Sequence, residues 1–215
     1  MNEFEKLIEK ILNHFAGEDF KNELDRAKKE FFDNTTLNEE QSDQYELRMS
    51  QFYDWYFFSR ELSGYGQTPL EVCHLARELR FTDDEEKRIS TLKQHIHSVF
   101  EFIKVKDRDI VIKDLMTNKK IVVKNSSLVF GFNPEELFEA RLIPSGDTWI
   151  FTRGFCFHPE NAKKFILNEL KLHRKNPDLD PETMILRLIR MRYKYEQYKH
   201  VRPEVIYSND GKLGM

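Results

Sequence analysis

The stretch Ser98–Asn125, SVFEFIKVKDRDIVIKDLMTNKKIVVKN, decides the fold class of this chain. Val99 and Glu101, then Ile103 and Val105, set up an irregular alternation rich in β-branched residues, which suits a pleated, half-buried surface better than a helix face. Ile110-Val111-Ile112 and Ile121-Val122-Val123 flank DLMTNKK, where Thr117-Asn118 can supply a tight turn because asparagine tolerates positive φ. This predicts an antiparallel hairpin. Further strands are predicted over Glu139 to Ile143 and Thr148 to Phe157, separated by the turn Pro144-Ser145-Gly146-Asp147. Short strands this close in sequence predict a small antiparallel sheet or partly open barrel over residues 97–157.

The chain before this stretch reads as helical. Thr36-Leu37-Asn38-Glu39, Thr68-Pro69-Leu70-Glu71 and Thr82-Asp83-Asp84-Glu85 each fit a capping box, in which threonine and glutamate satisfy each other's backbone N–H groups. Pro69 adds a φ suited to the first helical position. Amphipathic segments near Glu3 to Phe15 and Phe20 to Phe32 complete a helical region over residues 1–96. Within it, FYDWYFFSREL (Phe52 to Leu62) holds six aromatic residues in seven positions. A helix apolar nearly all round is buried between other elements, so this one is predicted to be the central helix that joins the helical region to the β unit.

After His158-Pro159 the helical period returns. Ala162, Phe165, Ile166 and Leu170 form an apolar stripe, and a last helix starts with Asp180 as N-cap and Pro181 at its first position. Residues 158–202 are thus predicted as a helical hairpin turning at Asn176 to Pro181, with 203–215 as a loosely held tail. The fold class is α+β, in one compact unit: N-terminal helices, a small central antiparallel sheet, and two C-terminal helices packed back on the rest.

Composition limits the function classes. The 215 residues are 40% hydrophobic and 33% charged, which fits a globular protein and neither disorder nor a fibre. Every long helix-like segment is interrupted by charge, so no transmembrane segment is expected. The N-terminus, MNEFEKLIEKILNHF, is acidic and amphipathic, unlike a secretory signal, and only Cys73 and Cys156 are present. Together these predict a cytoplasmic protein, with a single bridge between the two cysteines left open.

Most chemistry-bearing motifs read as structural. The acidic run Asp83-Asp84-Glu85-Glu86 falls in a first helical turn, where the helix dipole favours negative charge over a metal role. His95 and His97 could share a strand face and ligate a metal. No third ligand follows at a characteristic spacing, so they read as a solvent-exposed helix-to-strand junction. Cys73-His74 point about 100° apart on a helix, poor geometry for a nucleophile and its base. No nucleophile elbow, zinc-protease motif or phosphate loop occurs. No catalytic residue, metal or cofactor is predicted.

Basic residues carry the leading expectation. Between Met1 and Leu62 there are 15 acidic and 8 basic residues, but between Lys163 and Arg202 there are 5 and 11. Arg187, Arg190 and Lys194 form one stripe of the last helix, and Lys164, Lys171 and Lys175 one stripe of the helix before it. Merged in a hairpin, the stripes would suit an acidic protein surface or nucleic acid. The expected function is a non-catalytic cytoplasmic binding or adaptor protein. The alternative is an enzyme with a cleft in the β unit, using Asp114, Arg141 and Arg153 as polar groups.

The order of several motifs carries a resemblance. Phe52-Tyr53-Asp54-Trp55-Tyr56-Phe57-Phe58, Thr68-Pro69-Leu70-Glu71, Asp114-Leu115-Met116-Thr117, Gly131 and Ala140-Arg141-Leu142-Ile143-Pro144 together resemble a group of uncharacterised prokaryotic proteins. Its members have an F-x-E/D-W-F aromatic segment, a threonine-started helix, a D-L-hydrophobic-T-G strand turn and an A-R-L-hydrophobic-P strand. The likeness covers roughly Phe52 to Phe157. Asn118 stands where a turn glycine is usual, a change its left-handed tolerance accommodates. Some members carry a cysteine-rich zinc motif like the one ending the SecA translocase. This chain lacks those cysteines, so no zinc role carries over. The group has no established activity, so the resemblance implies a fold boundary and no chemistry.

Overall fold

The computed structural model describes residues 2–32, 43–126, 133, 135–176 and 178–209. The Thr36 capping box, Gly131 and residues 210–215 lie outside them. The chain divides into two compact units. One takes the helices up to Ile96 together with Thr152–Gly154; the other takes His97–Phe151 and the chain from Phe155 onward.

The first unit contains α1 (Glu3–Phe15), α2 (Lys21–Phe32), α3 (Asp43–Phe58), the short α4 (Pro69–Val72) and α5 (Asp83–Leu92). Both described threonine capping boxes form, at Thr68 and Thr82, and Asn2 with Glu5 makes a third at α1. The acidic run occupies the first turn of α5, as its dipole favours. Leu7, Ile11 and Phe15 give α1 a buried stripe.

The aromatic stretch forms the second half of α3, with Phe52, Trp55, Tyr56, Phe57 and Phe58 all buried. Phe52 packs edge-on against Phe31 at 5.6 Å and stacks on Tyr56 at 5.8 Å. The Tyr56 hydroxyl donates to the Phe15 carbonyl at 2.8 Å, which satisfies the polar end of an otherwise apolar helix. Arg60 just beyond α3 is also buried, and its guanidinium is held by Glu23 and Glu30. Thr152–Gly154 packs against α3 from far along the sequence. A Cβ on Gly154 would stand 3.0 Å from Asp54 Cβ and 3.4 Å from Gln51 Cα, so glycine permits this approach.

The second unit is built on an antiparallel sheet in the order β3-β2-β1-β4-β5, with β6 pairing β4. Its strands are β1 (Ile96–Lys106), β2 (Asp109–Asp114), β3 (Lys120–Val123), β4 (Leu137–Ser145), β5 (Thr148–Phe151) and β6 (Cys156–Phe157). The two edges approach each other: the Lys124 amide donates to Thr148 Oγ1 at 2.7 Å and the Lys124 ammonium pairs with Asp147. A curled half-barrel results. The predicted β2–β3 hairpin is present, with Asn118 at φ 60° in its turn. Asp114 organises that turn by accepting from the Met116 amide and the Thr117 hydroxyl, and it also accepts from the Ser98 hydroxyl. The strand predicted over Thr148 to Phe157 is broken into β5 and β6, because its middle packs with the helical unit.

One face of the sheet is an aromatic core in which Phe100, Phe151, Phe155 and Phe157 surround Phe138. The helices α6 (Lys163–Lys175), α7 (Pro181–Gln197) and α8 (Pro203–Ile206) complete the unit. Asp180 caps α7 by accepting from the Glu182 and Thr183 amides, and His173 of α6 meets the Asp180 carbonyl at 3.2 Å to fix the hairpin turn. The start of the expected tail is ordered. Pro203, Ile206 and Tyr207 are buried, since α8 turns two of its three apolar side chains inward and is followed by a tyrosine that finds a buried polar partner.

Candidate functional site

The strongest concentration of interacting charge lies between β1, β4 and α7. His97 comes from β1, Glu139 and Arg141 from one face of β4, and Glu182 from the first turn of α7, where the helix dipole favours its charge. His97 Nε2 meets Glu139 Oε1, and Nδ1 lies 2.8 Å from both Glu182 carboxylate oxygens. Arg141 Nη2 stands 3.1 Å from Nδ1 and 3.8 Å from Glu182 Oε2. The His97 side chain is 5% exposed and Arg141 is 0% exposed.

Two cations and two carboxylates thus balance in a closed space. Burial and the Arg141 charge push the His97 pKa down, but Glu182 and Glu139 outweigh them and raise it to about 9. His97 is therefore an imidazolium at neutral pH, with one N–H donated to each carboxylate. In that state neither ring nitrogen offers a lone pair to a metal or a proton. The expectation of an exposed junction fails for His97, because partners 42 and 85 residues away enclose it.

A second buried group joins β6 to the end of the chain. The Tyr207 hydroxyl and His158 Nδ1 share a hydrogen bond at 3.0 Å, and burial with the Arg192 charge pushes the His158 pKa down to about 3. Cys156 is buried, and burial raises its thiol well above the usual range. Cys73 in the helical unit is also buried and raised, to about 11. Both cysteines are free. Neither has the exposed, electropositive setting of a reactive thiolate. Among the described residues no group of three or more His, Cys, Asp or Glu is arranged to hold a metal ion.

The predicted basic stripes meet different fates. Lys164, Lys171 and Lys175 are exposed on α6. On α7, Arg187 is engaged by Glu169 at 3.0 Å and by Asn209, Arg190 is half-buried and Lys194 is only 8% exposed. The α7 stripe mainly faces its own unit, so the hairpin does not offer both stripes together. The expected cleft residues are likewise committed to separate partners. Asp114 is buried in the β2–β3 turn network and Arg141 in the ionic cluster. Arg153 is exposed in the helical unit and pairs with Glu5 at 3.1 Å.

Sequence reasoning passed over Glu139, Glu182, His158 and Tyr207. One signal was available: Glu139 and Arg141 alternate on one face of a strand otherwise apolar, which demands buried partners. It also passed over an open hollow of about 300 Å³ in the helical unit, lined in part by His14, Asp19, Tyr65, Leu75 and Arg77.

The architecture is that of an α+β protein, and no described helix is long and apolar enough to cross a membrane. The chain belongs to a family of unknown function, DUF7986, whose model matches residues 2–185. The match takes in both units and all of α6, but stops early in α7. No curated protein and no solved structure is significantly similar to the chain.

Proposed function

We propose that this chain is a non-catalytic cytoplasmic binding or adaptor protein that engages an anionic partner through the outer face of α6. One observation carries the reading. Lys164, Lys171 and Lys175 are exposed at i, i+7 and i+11, within a stripe about 40° wide and about 16 Å long. Among the described residues none of the three enters an ion pair. Leu167 and Leu172 flank the stripe, and Leu172 is 52% exposed.

Cations interleaved with exposed leucines suit an acidic protein surface better than a bare polyanion. The charges steer the encounter, and the leucines supply the desolvated contact that holds it. Arg187 acts instead as a support of the α6–α7 pairing, through Glu169. The test is a pull-down and anisotropy screen with poly-glutamate and acidic helical peptides, comparing wild type with K164E/K171E/K175E. The triple variant should lose binding at least tenfold with its melting temperature unchanged. Unchanged binding to every probe that wild type retains would sink the reading.

A further inference from the structure

The outer face of the β1–β2–β3 meander carries a second basic surface, and the strand register fixes its members. Glu101, Lys113 and Lys120 lie side by side across the three strands, Lys104, Val111 and Val122 form the next row, and Lys106 faces Asp109. The alternate positions Phe100, Phe102, Ile110, Ile112 and Val123 are buried on the other face. Lys104, Lys106 and Lys120 are exposed and Lys113 is half-buried, while Arg108 and Lys119 extend the charge into the adjoining turns. Among the described residues none of these six cations enters an ion pair.

The carboxylates nearby are mostly engaged. Glu101 takes Lys163 at 3.0 Å, and Asp109 accepts from the Asn125 amide at 2.9 Å. Asp147 takes Lys124, which removes that lysine from the face as well. Asp107, exposed in the β1–β2 turn, and Asp109, which keeps its charge opposite Lys106, are the opposing charges, against six cations. Lysine on the edge strand β3 alone would be explained as a guard against edge-to-edge pairing. Lys104, Lys106 and Lys113 sit on inner strands, where no edge needs guarding.

We propose that this face binds the phosphate backbone of duplex DNA without reading its sequence. Lys113 and Lys120, about 4.8 Å apart across two strands, and Lys104 and Lys106, about 6.6 Å apart along one, place cations at the spacings of a pleated sheet, which suit an extended, regular anion. Duplex DNA supplies one, with a charge every ~1.7 Å of axis. Single strands are disfavoured because, among the described residues, the strand positions of this face hold no aromatic side chain to stack a base. An acidic protein would need a larger apolar anchor than Val122, 43% exposed, beside half-buried Val111. The strand positions of the face hold lysine, valine and carboxylates, with no hydroxyl or amide side chain to recognise the 2′-OH of RNA.

The surface lies on different elements from the α6 face, so either reading can fail without the other. The test is fluorescence anisotropy with a labelled duplex DNA of about 25 bp and unrelated sequences of the same length. Four phosphates neutralised by Lys104, Lys106, Lys113 and Lys120 give a slope of log K against log salt near −3.6, roughly a hundredfold loss between 50 and 200 mM. K104E/K106E/K120E should abolish binding, K104Q/K106Q/K120Q should flatten the slope to about −1, and K164E/K171E/K175E should leave both unchanged. No binding at 50 mM salt, a salt-independent affinity, or tighter binding of single strands, duplex RNA or poly-glutamate would each overturn the proposal. The wild-type salt slope keeps the test valid if the charge-reversed variant does not fold.

Discussion

His97 makes the pH dependence of stability a direct test of the ionic cluster. The groups facing it are Glu139 and Arg141 from β4 and Glu182 from α7. Its folded-state pKa, about 9, lies above the ordinary histidine value of 6.5. The folded protein therefore holds a proton that the unfolded chain releases sooner. The resulting stabilisation is fully present below about pH 6.5 and is lost as pH rises through about 9. A shift of that size corresponds to about 3 kcal/mol for a group this buried. Urea unfolding followed by circular dichroism, at intervals from pH 6 to 9.5, should show the stability difference between wild type and His97→Gln shrinking by about that amount. Taking the difference cancels lysines, tyrosines and His158. Glu182→Gln should move the midpoint of the effect to lower pH, because it removes one of the two carboxylates that hold the proton. A difference that stays flat across the range would refute the protonated cluster and leave His97 a neutral hydrogen-bonding residue.

Three further outcomes test the helical unit. Phe52→Ala should cost about 3 to 5 kcal/mol by denaturant titration, since Phe52 is fully buried among Phe31, Phe32 and Tyr56. Arg60→Ala should cost about 3 kcal/mol by taking from buried Glu23 the nearer of its two cations, with Arg26 left at 3.6 Å, whereas a double change of Arg60 to Met and Glu23 to Leu should recover most of it. Gly154→Ala should lower stability by about 1 to 3 kcal/mol, because the new methyl group would press on Asp54 at 3.0 Å. A neutral result there, by thermal melting, would mean that the segment gives way without cost.

Elements governed by neighbours a few residues apart were legible in the sequence. The capping boxes at Thr68 and Thr82, Asp180 with Pro181, and Asn118 in the β2–β3 turn all act within one helical turn or one hairpin loop. The α6–α7 hairpin and the burial of the aromatic helix followed from period and composition for the same reason. The charged groups behaved otherwise. A stripe of arginine and lysine looks the same in sequence whether water or a carboxylate receives it. Arg187 is met by Glu169 and Asn209 from other elements, and Lys194 is buried, while Lys164, Lys171 and Lys175 stay exposed.

The sequence by itself determined the helices, the hairpin and the α+β class, because hydrophobic period, caps and turn residues act over a few positions. Only the tertiary structure decided which charges are engaged and which remain available. His97 finds Glu182 across 85 residues of chain, and Gly154 finds Asp54 across a comparable distance. Such partners meet through the folding of whole elements. A Coulomb interaction depends on that final separation and on the water excluded around it, and neither quantity is written in the order of the residues.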